Sequence, residues 1–435
     1  MPGPRPPGAP WLSLLLLALA VAPEDLALAS MVPLELLKNP SARCLDGSPG
    51  GFYHQPALDP AQSDKWVIHL QGGGECSTGG QCGRHLHTAV GSSKFFPPAV
   101  NFSFDPTAVN SPPSRARYDL GGVYRGKSAP PRQGLGRREW TAFGWWLLGD
   151  TPAINPHMWG WNHALVPYCS QDLHSGQRED PVHVDELPAV YFAGHIIVAS
   201  VMDALDARGL RNASTLVFAG NSAGGMGVFL HIDWVADRYP SARVLGAPIA
   251  GFYFYSWEYE GPDVAPGECN DLSDFSYRAW PRMWALWDSF VDHSCALELD
   301  DRPWECMLAN VSYPHIDSHL FITQAQTDQV VIQEHDCVPP PVNGTSLGWS
   351  PTARRYVSEW HRNMSLALSP AALNKSKMDG VFNPACYVHT NFTARYPLIK
   401  GYSFMDLLKK WMGGWWKNVL QDACGELCNP TCNPP

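Results

Sequence analysis

A strand, a glycine-rich turn and a helix follow one another directly between residues 215 and 238, and this succession limits the folds open to the chain. Thr215–Ala219 is rich in β-branched and aromatic residues, which is typical of a buried strand. Gly220-Asn-Ser-Ala-Gly224 then precedes a helical pattern that runs to about Arg238. Other core elements alternate in the same way: strands at Trp66–Leu70, His163–Pro167, Arg243–Ala247 and Leu320–Gln324, and a helix within Tyr191–Arg208. This alternation predicts an α/β protein, with a mostly parallel sheet covered by helices on both faces.

The predicted organisation is one domain with long connections. Among the 435 residues, 40 are Pro and 38 are Gly, so we expect long turn-rich loops between the core elements. A single catalytic domain is predicted over residues 31–435, with a loop insertion at 78–160 that has few regular elements. A cap-like insertion is predicted at 263–317, and a Cys- and Pro-rich tail at 411–435.

The N-terminus has the parts of a secretory signal peptide. Arg5 precedes the apolar run Trp11–Ala20, and Ala20-Val-Ala22 has the small residues of a cleavage site. The run is shorter than the roughly 20 residues of a membrane span. We therefore predict a signal peptide over residues 1–22, with cleavage between Ala22 and Ser30. The mature chain is expected to be soluble and extracellular, at a cell wall or in an extracellular matrix, without stable membrane insertion.

The cysteines and the glycosylation motifs indicate the same compartment. Twelve Cys lie between Cys44 and Cys432, an even number that suits disulfide bonding in an oxidising compartment. Cys76/Cys82 and Cys295/Cys306 are close enough to close small loops. Cys424, Cys428 and Cys432 have a spacing that offers thiolates to zinc, but no matching His pair accompanies them, so we expect disulfides and no metal. Seven N-x-S/T motifs are candidate glycosylation sites: Asn101, Asn212, Asn310, Asn343, Asn363, Asn374 and Asn391.

The charge excludes one class of partner. The formal net charge is −10, whereas binding to nucleic acid phosphates needs a clustered Lys/Arg surface. We therefore expect no nucleic acid partner.

Ser222 is the candidate nucleophile. It stands at the centre of a G-x-S-x-G motif, and a nucleophile on a sharp strand-to-helix turn needs small residues two positions away on each side. At the N-terminus of the following helix, backbone N–H groups and the helix dipole favour developing negative charge. The alternative is an ordinary glycine-rich turn, but the strand before it and the helix after it favour the catalytic interpretation.

Gln71-Gly72-Gly73-Gly74 is the candidate oxyanion loop, because it follows the early strand Trp66–Leu70. Acyl transfer needs two N–H donors aimed at the oxyanion, one from the residue after the nucleophile and one from such a loop. We predict that these donors are Ala223 and either Gly72 or Gly73. Taken alone, a glycine triplet is more often a flexible loop.

The acid and the base are expected to follow the nucleophile in the order Ser, Asp, His. Asp328 lies just beyond the predicted strand Leu320–Gln324, and Asp336 is the second choice as the acid. Among the later histidines, His335 is too close to Asp328 in sequence, and His361 lies in a polar helical stretch that we expect at the surface. His389 follows Cys386 in a late turn that a disulfide would hold in place. We predict that His389 is the base and that Asp328 orients it.

Several segments together resemble the pectin acetylesterase/Notum family of secreted serine carboxylesterases. The similarity runs from about residue 31 to residue 410, and the segments occur in the family's order. They are Val32–Leu34, Cys44–Pro49, Gln71–Gly74 with Cys76, Trp159–Asn162, Val166–Ser170 with Asp172 and Ser175-Gly176, Gly220–Gly225, and Pro384–His389.

The resemblance implies an α/β-hydrolase-like fold, several disulfides, no cofactor and a Ser-Asp-His triad at Ser222, Asp328 and His389. Animal Notum, which removes palmitoleate from Wnt proteins, has an aromatic pair where this chain has Gly74-Glu75. Plant members, which deacetylate pectin, also have a third glycine at the first of these positions. We expect Gly74, Glu75, Trp161 and Phe252 to line the substrate pocket, with Glu75 at its mouth. For Phe252, a position in the apolar core is an equal alternative.

Three functions are compatible with the sequence. The first is a secreted serine carboxylesterase that hydrolyses O-acetyl esters of extracellular polysaccharide. The second is a Notum-like palmitoleoyl-protein carboxylesterase that removes lipid from a secreted signalling protein. The third is a catalytically silent extracellular binding protein. We favour the first because Gly74-Glu75 suits a polar or short-chain ester, and the retained triad residues argue against the third.

Overall fold

The computed structural model describes Gly3 and residues 31–102, 146–150, 152, 155–264, 277–341, 348–369, 378–414 and 419–432. The predicted signal peptide lies outside these residues, apart from Gly3, and so do the candidate glycosylation sites Asn343 and Asn374.

Within the described residues, ten strands form one sheet in the order β10-β9-β8-β7-β6-β3-β5-β2-β1-β4. Strands β5, β3 and β6 to β10 run parallel, and β2, β1 and β4 add an antiparallel edge. The strands are β1 Met31–Leu36, β2 Gly51–Gln55, β3 Lys65–Leu70, β4 Ala99–Asn101, β5 Asn162–Val166, β6 Thr215–Asn221, β7 Arg243–Ile249, β8 His319–Thr323, β9 Gly380–Asn383 and β10 Val419–Gln421.

Helices cover both faces of this sheet. They are α1 Gly79–His85, α2 Gly194–Asp206, α3 Ala223–Arg238, α4 Ala279–Trp287, α5 His293–Glu298, α6 Ala309–Ser312, α7 Pro351–Ala367 and α8 Phe404–Met412. Side chains alternate along β6 as the pleat requires. Leu216 and Phe218 join the core beneath α2 and α3, whereas Val217 and Ala219 join the core on the face of α8.

The predicted fold class is confirmed, and the differences lie in short elements. The five strands β1, β2, β4, β9 and β10 were not predicted, because they are three to six residues long and lack a sustained apolar pattern. The loop insertion at 78–160, expected to have few regular elements, contains α1 and β4 in its described part. The tail contributes β10, so residues 419–421 of the predicted tail belong to the sheet.

Disulfides connect the long loops to this core. Cys76–Cys82 and Cys295–Cys306 form the two short-range bonds expected from sequence, and Cys44–Cys169, Cys386–Cys432 and Cys424–Cys428 are also bonded. Cys337 is disulfide-bonded as well. In the residues described, no helix has both the length and the apolar character to cross a membrane.

The predicted cap insertion packs beside the glycine-rich loop. Its described part contains α4, α5 and α6. From α4, Trp287 Nε1 donates to the Cys76 carbonyl at 2.9 Å, and Arg282 donates to Ser77 Oγ at 2.9 Å. The insertion therefore contacts the segment that directly follows the candidate oxyanion loop.

Candidate active site

Ser222 occupies the sharp turn between β6 and α3. Its backbone has φ 56° and ψ −125°, a conformation that costs energy for a residue with a side chain. The turn is held because Ser222 N–H donates to the Ile249 carbonyl at 2.9 Å, while its own carbonyl accepts from Met226 N–H at 3.0 Å. Ser222 is half-buried. The turn therefore presents its side chain at the carboxyl edge of the parallel strands.

The flanking glycines are required by close backbone contacts. A Cβ on Gly220 would lie 2.2 Å from the Gly224 carbonyl oxygen, and a Cβ on Gly224 would lie 2.0 Å from the Leu70 carbonyl oxygen. Neither position has room for a side chain. The motif therefore reflects the steric demands of this turn.

The candidate oxyanion loop is braced by the segment that follows β5. Gln71 N–H donates to the Val166 carbonyl at 3.0 Å, and His174 Nε2–H donates to the Gln71 carbonyl at 2.8 Å. Gln171 Nε2 donates to the Gly73 carbonyl at 3.1 Å. Because the carbonyls of Gln71 and Gly73 are both engaged, the loop is held in one conformation before any substrate binds.

The oxyanion loop and the nucleophile turn together offer three backbone N–H groups that could bind an oxyanion. Within the described residues, Gly72, Gly73 and Ala223 donate no backbone hydrogen bond. Gly72 packs directly against the nucleophile, because a Cβ at Gly72 would lie 2.6 Å from Ser222 Cβ. Free donors beside the nucleophile are the arrangement that stabilises an oxyanion.

Asp328 and His389 form a hydrogen-bonded pair. His389 Nδ1 lies 2.9 Å from both carboxylate oxygens of Asp328, whose side chain is fully buried. A parallel bridge between Thr327 and Tyr387 aligns the two loops just before the pair. Since a carboxylate only accepts, Nδ1 carries the proton and Nε2 of the neutral imidazole is left as an acceptor.

The other ring nitrogen of this imidazole, His389 Nε2, is buried and has no hydrogen-bond partner among the described residues. The sheet brings this loop to the edge that holds Ser222, because Asn221 pairs with Ile249, Ile249 with Thr323, and Thr323 with Phe382. The three predicted triad residues therefore follow β6, β8 and β9 at the same edge of the sheet, with β7 between β6 and β8.

The other candidates for the acid and the base make different contacts. Asp336 accepts from Ser256 Oγ at 2.5 Å. His361 lies on α7 and is half-buried, with Nδ1 3.5 Å from Thr327 Oγ1, so the expectation of a surface position holds only in part. His335 is buried and contacts Glu75.

Sequence reasoning missed the residues that hold Asp328 in place. Gln324 Nε2 donates to Asp328 Oδ2 at 3.0 Å, and the N–H groups of Val330 and Val331 donate to Oδ1 at 3.0 and 3.2 Å. Gln324 Oε1 also accepts from Phe252 N–H at 3.0 Å. A glutamine at a strand end has no pattern that distinguishes it from any other polar residue, so no sequence signal identified it.

The tail braces the histidine loop. Cys386 forms a disulfide with Cys432, in line with the expectation that a disulfide holds this turn in place. Asp422 Oδ2 accepts from Ala385 N–H at 2.9 Å, and the Asp422 carbonyl accepts from Gln326 Nε2 at 2.8 Å. The tail thus connects the loops of the candidate base and the candidate acid.

The expected pocket residues are not brought together. Trp161 directly precedes β5, whose first residue pairs with Trp66 at the opposite end of the sheet from Ser222. Lys65 lies over the Trp161 ring. Phe252 is buried and packs edge-on against Phe229 in the core. Gly74 continues the oxyanion loop with φ 75°.

Glu75 is buried and does not lie at a pocket mouth. Its side chain is 3% exposed, and Oε1 lies 3.4 Å from Nδ1 of His335, whose side chain is 5% exposed. Burial raises the pKa of Glu75 to about 8, because an ionised carboxylate loses its hydration there. The acidic residue that distinguishes this loop therefore faces the protein interior.

The candidate glycosylation sites that the structure describes are all exposed: Asn101, Asn212, Asn310, Asn363 and Asn391. In the described residues, no group of three or more His, Cys, Asp or Glu side chains is arranged to hold a metal ion.

Comparison with known proteins identifies the family of this chain. The Pectinacetylesterase family matches residues 26–108 and 138–433. The palmitoleoyl-protein carboxylesterase notum1 of Xenopus laevis is 26% identical over 428 residues, covering 92% of this chain and 74% of that protein. Pectin acetylesterase 5 of Arabidopsis thaliana is 24% identical over 432 residues, covering 95% of this chain and 86% of that protein.

A solved structure shares the fold. The Wnt deacylase Notum from Drosophila superposes with a TM-score of 0.71 at 23% identity, covering 93% of this chain and all of that one. Because the family match spans most of the sequence, the chain belongs to the pectinacetylesterase family and is a carboxylic ester hydrolase.

Proposed function

We propose that this chain is a secreted serine esterase in which Ser222 is the nucleophile, His389 the general base and Asp328 the residue that orients it. The observation that carries the proposal is the hydrogen bond from His389 Nδ1 to Asp328, made at the sheet edge that also presents Ser222. A buried carboxylate that fixes the tautomer of a histidine is the arrangement that activates a serine.

The reaction follows from these positions. Ser222 Oγ attacks the ester carbonyl carbon while His389 Nε2 accepts the hydroxyl proton. The carbonyl oxygen becomes negative and is bound by Ala223 N–H and by Gly72 or Gly73 N–H. The alcohol leaves with the proton from His389, and water then hydrolyses the acyl-enzyme by the same steps in reverse.

O-acetyl esters of extracellular polysaccharide are the proposed substrates. Gly74 adds no side chain to the oxyanion loop. A long hydrocarbon chain needs apolar walls, and the loop supplies none at this position. This feature favours a short acyl group.

Removal of a lipid from a protein is the second candidate, because the notum1 match covers 92% of this chain, nearly as much as the 95% covered by the pectin acetylesterase match. A series of p-nitrophenyl esters from acetate to palmitate separates the two. We expect kcat/KM to be highest for acetate, with acetate release from acetylated pectin or xylan. A higher kcat/KM for C16 esters would favour the second candidate. Ser222→Ala protein supplies the background rate.

A further inference from the structure

Beneath the oxyanion loop lies a second carboxyl–imidazole contact. Glu75 Oε1 and His335 Nδ1 are 3.4 Å apart, and both side chains are at least 95% buried. Within the described residues, Glu75 Oε1 has no hydrogen bond. A buried carboxyl group without a full set of partners costs stability, so its presence calls for a functional explanation.

This contact joins the two halves of the proposed site. Glu75 follows the glycine loop, in which Gly72 touches the nucleophile. His335 ends a π-helical turn, Val331–His335, whose first N–H groups are capped by Asp328. The contact therefore links the oxyanion loop with the loop that holds the triad acid.

We propose that Glu75 and His335 are a positioning pair, which holds the oxyanion loop against the acid loop and shares one proton so that no net charge lies beneath the oxyanion. The inference rests on the proposed function. With one proton the pair is neutral, either as carboxylic acid and imidazole or as carboxylate and imidazolium. Without it, a buried negative charge would oppose the charge that forms on the substrate oxygen.

Besides His335, the titratable side chains that interact with Glu75 include Tyr168 and Tyr253. Both tyrosines are buried, and burial raises the pKa of each well above its usual value, so they stay neutral. Asp328 also interacts with Tyr253 and adds a further negative charge on that side.

Glu75→Gln tests the shared proton, because glutamine keeps the shape and an acceptor oxygen but does not ionise. In the wild type, we expect kcat to fall about tenfold between pH 7 and pH 9, because this proton has a pKa of about 8 and is lost over that range. We expect Glu75→Gln to keep kcat within about threefold of wild type at pH 7 and to lose this alkaline decline. An unchanged tenfold decline in Glu75→Gln would overturn the proposal.

Glu75→Ala tests the positioning role, because it removes the contact altogether. We expect kcat to fall about tenfold or more with KM nearly unchanged, since the oxyanion forms only in the transition state. The positioning role would be contradicted if the Gln and Ala variants lost the same factor in kcat, or if the Ala variant kept the wild-type kcat. If the Ala variant is not secreted, the pH profile of Glu75→Gln decides alone.

Asp206→Asn is the matched control, because its carboxylate is 6% exposed and ion-paired with Arg238 at the far end of α2. Asp206→Asn is expected to show the same fall in kcat between pH 7 and pH 9 as the wild type. If the wild-type chain hydrolyses no ester, the proposed function fails. Urea unfolding then still tests whether Glu75 and His335 share a proton. The folded chain holds the Glu75 proton up to about pH 8, so wild-type stability should fall relative to Glu75→Gln as pH rises from 5 to 8.

Discussion

A Cβ atom placed on Gly72 would lie 2.6 Å from the Cβ of Ser222 and 2.4 Å from the Asn221 carbonyl oxygen. The loop after β3 and the turn after β6 are therefore in direct contact. This contact places the backbone donors of one loop beside the side chain that the other presents.

Gly72→Ala is expected to separate the oxyanion loop from the nucleophile, because neither the carbonyl of Asn221 nor Ser222 Cβ can be moved without disturbing the turn. Loss of one oxyanion donor typically costs about 10²–10³ in kcat. We predict a fall in kcat of about 100-fold for p-nitrophenyl acetate.

Gly80→Ala is the control for that variant. Gly80 lies in α1, and a Cβ there would meet nothing within 4 Å. It should keep full activity and gain about 0.5–1 kcal/mol of stability, since Ala favours the helix. Wild-type kcat in Gly72→Ala would show that the loop does not form the oxyanion hole.

Asp328→Asn is predicted to lower kcat by about 10³–10⁴-fold, because an amide can no longer fix the Nδ1–H tautomer of His389. His389→Ala should lose at least as much, and its combination with Ser222→Ala should be little worse than either change alone. Steady-state kinetics of the purified variants measure these losses. His361→Ala should remain active, and an inactive His361→Ala beside an active His389→Ala would move the base to His361.

The nucleophile turn was predictable from sequence because its requirements are local. Gly220 and Gly224 are imposed by contacts within the turn and with the adjacent strand, and the pattern of strand, turn and helix is continuous in the chain. Asp328 and His389 followed from chain order. Glu75 and His335 were not predicted to meet, since no local pattern reports a contact between distant loops.

Trp161 shows that a family motif does not by itself place a residue near the active site. It belongs to a segment that resembles the family, but a motif does not reveal at which end of a strand it lies. The register of β3 with β5 places Trp161 at the end remote from Ser222. The short strands β9 and β10 were missed for a related reason, because their pairing depends on neighbours distant in sequence.

Acid should destabilise the protein through its buried histidines. Burial lowers the pKa to about 4 for three fully buried histidines, His69, His163 and His174. Because the unfolded chain binds these protons near pH 6.5 and the folded chain does not, stability falls as pH drops from about 6.5 to 4.

Each of these histidines contributes on the order of 1–2 kcal/mol to the difference in unfolding free energy between pH 7 and pH 5. Urea unfolding at the two pH values measures this difference. His163→Gln should show a smaller difference than wild type, because one titrating group is gone. An equal difference in the two proteins would contradict the assignment.

The exposed sequons predict N-linked glycans on the secreted protein. Removal of glycans with peptide N-glycosidase should lower its mass, and peptide mapping should find modified Asn among Asn101, Asn212, Asn310, Asn363 and Asn391. Asn→Gln changes at these positions identify which sites are used. A secreted product without glycan at any of them would refute this prediction.

Ser222→Ala tests the central claim most directly. The variant should be secreted, with thermal unfolding close to that of wild type, because only the hydroxyl is lost from the turn. Its kcat/KM for p-nitrophenyl acetate should fall by about 10⁴-fold or more, as is typical when a triad nucleophile is removed. Activity within tenfold of wild type in the purified variant would contradict the assignment of Ser222 as the nucleophile.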